Sequence, residues 1–479
     1  MTVVAIIGGG LSGAALAMHL RETGDTGDSV IVIEPRNEVG LGQAFSTRES
    51  VHLLNVLPGR MSPFPARPGD FTDFAAARGR GGEDYLPRAF YADYLRDRFS
   101  SLRHDGRQPG GPALSVLRGK AVGIEKSTED YQIALADGRT CRADKIVLAL
   151  GNLAPRPPLA DAPGLYGTDR YVEDPWKPGF IETFATDERV LIIGTGLSMV
   201  DVLLSLEARR HRGPIIALSR HGLVPRPQAA SACWPLPLPP GTASSVSALF
   251  HLLRRQAGLA ESTGVPWQAV VDALRQQIPS VWRHLSAEQQ RRFLRHVRPW
   301  WDAHRHRIPA SAARSLASLR ESGQLRVVAG RLRACRADAG EVQMEVAPRG
   351  GGDHLTFAID RVINCTGPNY DIVNADQPLI KTLADAGVLT LDRNRLGVAV
   401  SDDYALIDRG GQASRHLYAM GPMLRGQFWE INAAAEIGEQ AASLAHRLLA
   451  PARRSPVPST RGPSHSLRET AVPTPSTFP

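Results

Sequence analysis

The chain has 479 residues, which is enough for two or three domains with buried cores. Hydrophobic residues make up 43% of it and charged residues 22%, proportions that are typical of globular proteins. The formal net charge is +8, but the positive charge is unevenly distributed. Arg and His are concentrated in residues 283–307, and further arginines follow Ala450. This distribution favours solvated helix faces and a basic tail, or a pocket for an anionic cofactor, over a nucleic-acid groove. We therefore predict no nucleic-acid partner.

The four cysteines, Cys141, Cys233, Cys335 and Cys365, are scattered and form no CxxC motif. This spacing indicates a reducing compartment and argues against a zinc site, so no metal is predicted. It also argues against flavin enzymes of the disulfide-reductase kind, which need two neighbouring thiols. The apolar N-terminus lacks the basic region of a signal peptide, and its glycine triplet would break a spanning helix. We expect a cytoplasmic protein without a membrane partner.

The first residues have the pattern of a dinucleotide-binding unit. Residues 3–7 are apolar and rich in β-branched side chains, as in a strand buried on both faces, and good helix formers follow the glycines. Gly8 permits a tight turn, Gly10 lets a pyrophosphate approach the backbone, and Gly13 lets helix and strand pack closely. The phosphates would lie at the helix N-terminus, where N–H groups lack partners.

A second buried strand, residues 29–33, ends in Glu34. An acidic residue at this place can accept hydrogen bonds from a ribose, which makes the GxGxxG pattern more specific. The alternative is a glycine-rich turn in some other α/β protein. The full context favours dinucleotide binding.

The region that follows mixes loops and strands. Residues 35–65 are rich in Pro and Gly without periodicity, and a long loop beside a dinucleotide site is often functional. Residues 116–125 are predicted as one strand, and Asp137-Gly138 predicts a hairpin turn. Residues 145–150 form a further buried strand that closes in Gly151.

The pattern then starts again in a second unit. Residues 189–193 predict a strand, Gly194 and Gly196 shape the turn, and a helix follows. Much later, residues 361–367 run as a strand into a glycine, as residues 145–151 do in the first unit. One GxGxxG pattern is common, but two with matched surroundings are specific to paired dinucleotide-binding units.

The second unit has an arginine where the first has a carboxylate. Glu34 lies 26 positions after Gly8, and Arg220 lies 26 positions after Gly194. An arginine matches a ribose 2′-phosphate, which a carboxylate would repel, so we predict NADPH as the preferred coenzyme and NADH as the less favoured one. The alternative is a surface arginine that points to water.

An insertion of about 230–320 interrupts the second unit. Its start is rich in proline and cannot be regular structure. Helical patterns follow over residues 246–257, 266–278 and 287–298. Because both ends of the insertion are tethered in the second unit, we expect it to cover the cofactor cleft rather than form a free domain.

The end of the insertion holds the candidate catalytic residues His304, Arg305 and His306. They could bind an anionic substrate or relay protons, since histidine titrates near neutrality. The alternative is that they are solvated, or pair with acids between domains. Trp300 and Trp301 are expected to anchor the core of the insertion.

The C-terminal part returns to the first unit. Residues 416–421 form one more strand that runs into a glycine, and a helix is predicted over residues 428–449. Residues 451–479 are dominated by Pro, Ser, Thr and Arg without apolar periodicity, so they are predicted to be disordered.

Together these residues resemble two-dinucleotide-binding flavoproteins related to flavin-containing and N-hydroxylating monooxygenases. More narrowly, the sequence resembles a bacterial FAD/NAD(P)-binding oxidoreductase family that includes a urate hydroxylase, over about residues 1–450. The resemblance implies FAD on the first unit and NAD(P)H on the second. It rests on the following pieces: Leu54-Asn55-Val56 with Gly59-Arg60-Met61-Ser62, residues 194–201, residues 301–309, and Cys365-Thr366-Gly367-Pro368. The FxGxxxHxxxW fingerprint is not met at residues 174–180, and Gly421-Pro422 stands in place of the usual Gly-Asp.

The predicted fold class is therefore α/β, with two Rossmann-like dinucleotide-binding domains and a mostly helical insertion. The predicted division is 1–185 and 368–450 for the FAD domain, 186–232 and 321–367 for the NAD(P) domain, 233–320 for the insertion, and 451–479 for the tail. The predicted cofactor-binding residues are Gly8, Gly10, Leu11, Ser12, Gly13, Glu34, Asn55, Arg60, Met61, Ser62, Gly151, Gly194, Gly196, Leu197, Ser198, Arg220, Thr366, Gly367 and Gly421.

The expected function is that of an FAD-dependent NAD(P)H oxidoreductase. Its specific form would be a monooxygenase that hydroxylates a small molecule with reduced flavin and O2. The alternative is a flavin-binding redox sensor or assembly module without turnover. Flavin absorbance distinguishes the two, because only the enzyme bleaches when NAD(P)H is added.

Overall fold

The computed structural model describes residues 2–104, 111–177, 179–230, 233–337, 340–374 and 377–449. Residues 1–449 form one compact unit. The predicted disordered tail, residues 451–479, lies outside the described residues.

The β-strands of the described residues belong to three sheets. In chain order they are β1 (Val3–Ile7), β2 (Ser29–Glu34), β3 (Ala113–Arg118), β4 (Ala121–Lys126), β5 (Tyr131–Leu135), β6 (Thr140–Ala143), β7 (Lys145–Leu148), β8 (Tyr171–Val172), β9 (Val190–Ile193), β10 (Ile215–Ser219), β11 (Leu325–Ala337), β12 (Val342–Pro348), β13 (Leu355–Ile359), β14 (Arg361–Asn364), β15 (Ala405–Ile407) and β16 (Ala413–Ala419).

The α-helices lie mostly in the insertion and on the faces of the two larger sheets. They are α1 (Leu11–Thr23), α2 (Gly42–Phe45), α3 (Asp70–Ala76), α4 (Arg88–His104), α5 (Leu197–Ala208), α6 (Val246–Ser262), α7 (Gln268–Arg275), α8 (Ile278–His284), α9 (Ala287–Arg292), α10 (Arg298–Arg305), α11 (Ala310–Glu321), α12 (Pro378–Asp385) and α13 (Ala434–Leu449). Short 3₁₀ turns cover Pro58–Arg60, Ile181–Thr183, Thr242–Ser244, Ile372–Asn374 and Gly421–Leu424, and a π-helical segment covers Phe293–Val297.

The first sheet has the strand order β15-β16-β7-β1-β2-β3. Strand β1 lies in its middle and pairs in parallel with β2 and β7. Val4 and Ile6 pack against the helices α1 and α13 on one face. Ala5 and Ile7 pack on the other face, against α12 and the small sheet β4-β5-β6. Because both faces of the sheet are covered, the sequence of β1 is apolar at every position rather than alternating between apolar and polar residues.

The second sheet has the order β13-β12-β11-β10-β9-β14-β8, with β9 parallel to its neighbours β10 and β14. Helices α5 and α11 pack on one face of it. Strand β11 pairs in parallel with β10 over residues 325–329 and then antiparallel with β12. This confirms the predicted α/β class with two parallel, Rossmann-like sheets.

The insertion packs against the first unit. Its apolar core contains Trp282 and Trp301 and is completed by Leu396 and Trp429, which lie outside the insertion. Its two ends are held side by side, because Gln228 N donates to Ile308 O at 2.8 Å. The insertion therefore shares its core with residues outside it, and that it covers the cofactor cleft stays a prediction.

Some predicted elements differ from the observed ones. Residues 116–125 are two strands rather than one, since the chain leaves the first sheet after Arg118 and enters the small sheet at Ala121. The residues expected as a helix over 287–298 are helical throughout, but a π-helical segment at Phe293–Val297 lies between α9 and α10, just before Pro299.

Two further differences concern the ends of elements. The helix expected from Phe428 begins at Ala434, because Glu430 has the left-handed φ of +76° and cannot continue a right-handed helix. Helix α11 packs in the core of the second sheet together with α5, so residues 310–320 belong with that sheet rather than with the insertion.

Candidate functional site

The turn after β1 requires glycine at two positions. Gly8 has a φ of +108°, and a Cβ added there would lie 2.3 Å from the carbonyl oxygen of Ala149. A Cβ at Gly13 would lie 1.8 Å from the carbonyl oxygen of Gly8. The first glycine therefore permits the turn, and the other lets α1 pack against β1.

The turn after β9 has the same geometry. Gly194 has a φ of +109°, and a Cβ there would lie 2.1 Å from the carbonyl oxygen of Cys365. Ala149 and Cys365 each follow the strand that pairs with the central one, so the two turns meet equivalent neighbours. The sequence repeat thus corresponds to a structural repeat.

Glycines also surround the N-terminus of α1. Gly10 precedes this helix, and within the described residues no side chain caps it. Gly42 lies against Gly10, at 3.3 Å from a Cβ built on it. Gly421 has a φ of +76°, and its Cβ would lie 2.4 Å from Ser12 Oγ. We call Gly8, Gly10, Gly42 and Gly421 the glycine cradle.

The glycine cradle fits a pyrophosphate. A helix N-terminus offers N–H donors and the positive end of the helix dipole. Leu11 and Ser12 lie in the first turn of α1, which contains no carboxylate to compete for these donors. Side chains on the surrounding glycines would fill the same space, so their absence keeps the helix end accessible.

Glu34 holds the turn itself. Only 1% of its surface is exposed, and its Oε2 accepts a hydrogen bond from Gly9 N at 2.7 Å. Its Oε1 accepts from Arg36 Nε at 2.8 Å, a partner that the sequence analysis did not identify. The carboxylate thus has a structural role beside the glycine cradle, and its role as a ribose acceptor stays a prediction.

The predicted residues of the 55–62 loop differ in their surroundings. Met61 and Ser62 are buried, and Ser62 Oγ donates to Arg67 O at 2.7 Å, so both support the loop. Arg60 is exposed. Asn55 O accepts a hydrogen bond from Gln228 Nε2 at 2.8 Å, which joins this loop to the start of the insertion.

The remaining predicted glycines lie where strands end. Gly151 and Gly367 have φ values of +70° and +89°, and among the described atoms none lies within 4 Å of a Cβ built on either. Thr366 Oγ1 donates to Asn364 Oδ1 at 2.7 Å and so fixes the end of β14. These positions border the two turns, and their role in binding stays a prediction.

The start of α5 is open. Gly196 precedes this helix, and no described atom lies within 4 Å of a Cβ built there. Leu197 and Ser198 form its first turn. Thr195 Oγ1 donates to Ser219 Oγ at 2.8 Å and ties the turn to the end of β10. The second turn can therefore accept a phosphate as the first can.

Three arginines lie near His221, just after the end of β10. Arg220 is exposed and lies beside His221, whose pKa is lowered by burial and then by Arg349, Arg220 and Arg331. Arg349 also contacts His221 Nδ1. Of these arginines only Arg220 is indicated by the sequence pattern, because Arg331 and Arg349 are brought close by the antiparallel pairing of β11 and β12.

A buried polar network joins the two units. Arg88 Nη2 forms an ion pair with Asp201 Oδ2 at 2.9 Å, and both side chains are largely buried. His52 Nε2 lies 2.9 Å from Ser205 Oγ, so it contacts the same helix α5. Burial raises the pKa of Asp201, whereas Arg88 and His52 lower it less. No local sequence pattern indicates this network, because its members are distant in the chain.

The structure separates the three catalytic candidates. Arg305 is buried, and its Nε lies 3.1 Å from Glu430 Oε2. The pKa of His306 is lowered by burial, although Glu430 and Asp302 raise it. His304 lies apart, since its Nδ1 bonds Trp300 O within the same helix.

The two tryptophans also differ. Trp301 is buried, as expected, but Trp300 is 42% exposed and does not anchor the core. The two side chains are neighbours on a helix, where adjacent residues face different directions. The prediction for Trp300 is therefore wrong.

Comparisons with known proteins agree with this geometry. Residues 5–153 match a family model described as FAD-NAD(P)-binding. An ornithine N-hydroxylase from Kutzneria sp. 744, in a structure with reduced FAD, NADP⁺ and L-ornithine, is 14% identical with a TM-score of 0.65, over 94% of this chain and 99% of that chain.

Two other solved structures have the same fold. An L-lysine 6-monooxygenase from Pseudomonas syringae is 14% identical with a TM-score of 0.63, over 94% of this chain and 99% of that one. A cadaverine monooxygenase from Erwinia amylovora, bound to FAD, is 13% identical with a TM-score of 0.63, over 97% and 99% of the two chains. At these identities the similarity shows the fold. No curated protein sequence matches the chain.

The described residues lack two further features. In that part of the chain, no helix is long and apolar enough to cross a membrane. The same residues contain no group of three or more His, Cys, Asp or Glu side chains that could hold a metal ion.

Proposed function

We propose that this protein is an FAD-dependent NADPH oxidoreductase that hydroxylates a small molecule with O2. The observation that carries the proposal is the pair of equivalent turns, each with an open helix N-terminus. Two such sites in one compact unit suit two dinucleotides, one as the bound cofactor and one as the electron donor. The structural neighbours that act on ornithine, lysine and cadaverine support hydroxylation of a small molecule.

The glycine cradle would hold the pyrophosphate of FAD at the N-terminus of α1, and Glu34 would accept from the ribose. When bound, FAD would supply the redox chemistry of a monooxygenase, in which NADPH, a proton and O2 are consumed, one oxygen atom enters the substrate and the other leaves as water. The turn at Gly194 and Gly196 would orient NADPH. The insertion, packed on the first unit, would exclude water from the reaction.

The burial and spacing of the cysteines argue against a disulfide reductase. Cys335 and Cys365 are buried, and burial raises the pKa of both thiols. A buried thiol in apolar surroundings is a poor nucleophile. Cys141 and Cys233 are more exposed but are far apart in the sequence, so the cysteines do not favour a disulfide reductase.

The first experiment tests the function as a whole. We expect purified protein to carry FAD, and NADPH added without oxygen to bleach the visible flavin absorbance. Oxygen uptake is then screened with amines, amino acids and urate as candidate substrates. Protein that binds FAD but is not reduced by either nicotinamide would instead be a sensor or assembly module.

Coenzyme preference gives the second test, through Arg220. Hydrogen bonds to charged groups contribute about 1.5–3 kcal/mol, so Arg220→Ala should weaken NADPH roughly ten- to a hundredfold and spare NADH. Anaerobic stopped-flow reduction of the flavin at varied coenzyme concentration measures both affinities.

The matched control is Arg314→Ala, which removes an exposed arginine from α11 and should change neither affinity. The proposed role of Arg220 is refuted if the wild type uses both coenzymes equally well. Equal losses of NADPH and NADH in the variant would refute it too.

A further inference from the structure

Glu430 combines burial with an unusual backbone conformation. Its φ is +76°, a left-handed value that side chains other than glycine rarely adopt. The residue is only 4% exposed. Such a conformation persists only where the surroundings hold it in place, so it indicates a position with a specific task.

The carboxylate of Glu430 has two partners on helix α10. Trp301 Nε1 donates to Oε1 at 2.9 Å, and Arg305 Nε lies 3.1 Å from Oε2. Burial raises the pKa of Glu430, but Arg305, His306, Trp301 and Arg425 together lower it more, so the pKa lies below its ordinary value. The carboxylate is therefore ionised and holds α10 by a charge and a hydrogen bond.

Glu430 lies in a segment that joins the glycine cradle to helix α13. The segment starts after the turn Gly421–Leu424, and α13 begins at Ala434. Gln440 Oε1, on α13, accepts a hydrogen bond from Gly421 N at 2.8 Å. The backbone around Glu430 is thus fixed at both ends to the elements that form the cradle.

Other contacts bring the insertion to the same segment. Trp282 Nε1 donates to Gly426 O at 2.8 Å, and its ring stacks on Trp429 with centroids 4.8 Å apart. Arg275 forms an ion pair with Glu436. Glu430 lies between these two contacts in the chain and supplies the ionised group that faces α10.

We propose that Glu430 is the positioning residue that holds helix α10 of the insertion against the segment between the glycine cradle and α13, and that this contact keeps water from the cofactor on that side. This inference rests on the proposed binding of FAD. A left-handed backbone aims the carboxylate at α10, and without the charge Arg305 would be buried with no anion within contact distance. Removing one partner of a buried ion pair is unfavourable, so α10 would open locally more often, while the contacts of Trp282 and Arg275 keep the rest of the insertion in place.

The experiment uses the full-length protein loaded with FAD, and the variants Glu430→Gln and Trp301→Phe. Glutamine keeps the size of the side chain but removes the charge, and phenylalanine removes only the indole donor. Glu188→Gln is the control, because Glu188 forms a similar ion pair with the buried Arg361. This pair lies in the second sheet, where β9 and β14 begin. Each protein is measured by hydrogen exchange of α10 and by acrylamide quenching of flavin fluorescence.

We expect Glu430→Gln to raise hydrogen exchange in residues 298–305 and to increase acrylamide quenching severalfold, with unchanged FAD content. Trp301→Phe should give a smaller change in the same direction, and Glu188→Gln should change neither readout. If Glu430→Gln does not fold, Trp301→Phe alone decides the result.

Unchanged quenching in folded variants that bind FAD overturns the inference and leaves the proposed function intact. Equal quenching changes in the Glu188→Gln control overturn it as well, because the effect would then be one of stability alone. Wild-type protein that binds no FAD overturns the proposed function, which is a different outcome.

Discussion

Replacing Gly10 by valine is expected to give folded but colourless protein. Gly10 has a φ of −69°, which any residue adopts, and a Cβ there meets only Gly42, with its Cα at 3.3 Å. The fold accepts the change if the Gly42 backbone shifts by a few tenths of an ångström, so some loss of stability is expected as well. The β-branched side chain would occupy the glycine cradle at the N-terminus of α1, where the pyrophosphate of FAD is proposed to bind. Visible absorbance per mole of protein measures the loss, and circular dichroism verifies folding.

Two glycine variants serve as controls for this result. Gly196→Val alters the equivalent position before α5, so it should give yellow protein that NADPH fails to reduce. Gly13→Val should fail to fold, since its Cβ would lie 1.8 Å from Gly8 O. Yellow Gly10→Val protein with unchanged flavin content would contradict the assignment of FAD to the first unit.

The second large effect is expected at the ion pair between Arg88 and Asp201. Removing one partner of a buried pair costs about 3–5 kcal/mol, because the other charge stays buried without compensation. Asp201→Ala should therefore lower the free energy of unfolding by about this amount. Denaturant unfolding, followed by fluorescence and by circular dichroism, measures the change.

An exposed pair provides the comparison. Arg96 and Glu38 lie 3.5 Å apart with side chains 41% and 46% exposed, and such pairs contribute about 0–1 kcal/mol. Glu38→Ala should accordingly have little effect on unfolding. If Asp201→Ala were no more destabilising than Glu38→Ala, the network between the units would have no role in stability.

The parts of the fold that could be predicted are those that local chemistry decides. Gly8 and Gly194 were identified because a positive φ in a tight turn demands glycine, and the strands around them are apolar on both faces. The repeat of the whole pattern then indicated two units. Each of these signals lies within a few residues of the structure that it predicts.

The parts that could not be predicted depend on contacts distant in the sequence. Glu430 meets Arg305 across 125 residues, and Arg349 meets His221 across 128 residues. Neither pair has a spacing that a sequence pattern could reveal. The break in the helix before Ala434 was missed for the same reason, since the buried partners of Glu430 are known only from the fold.

The strand order of the first sheet has a consequence for how the protein is made. Strand β16 lies next to β7, and His416 Nδ1 bonds Asp144 O across 272 residues. At a synthesis rate of about 5–20 residues per second, the ribosome reaches β16 tens of seconds after β7. Throughout this interval the nascent N-terminal half has an unpaired edge at β7 and lacks α13 over α1. Folding of the first unit is therefore completed only after β16 and α13 have been synthesised, and the growing chain is most prone to aggregation before that point.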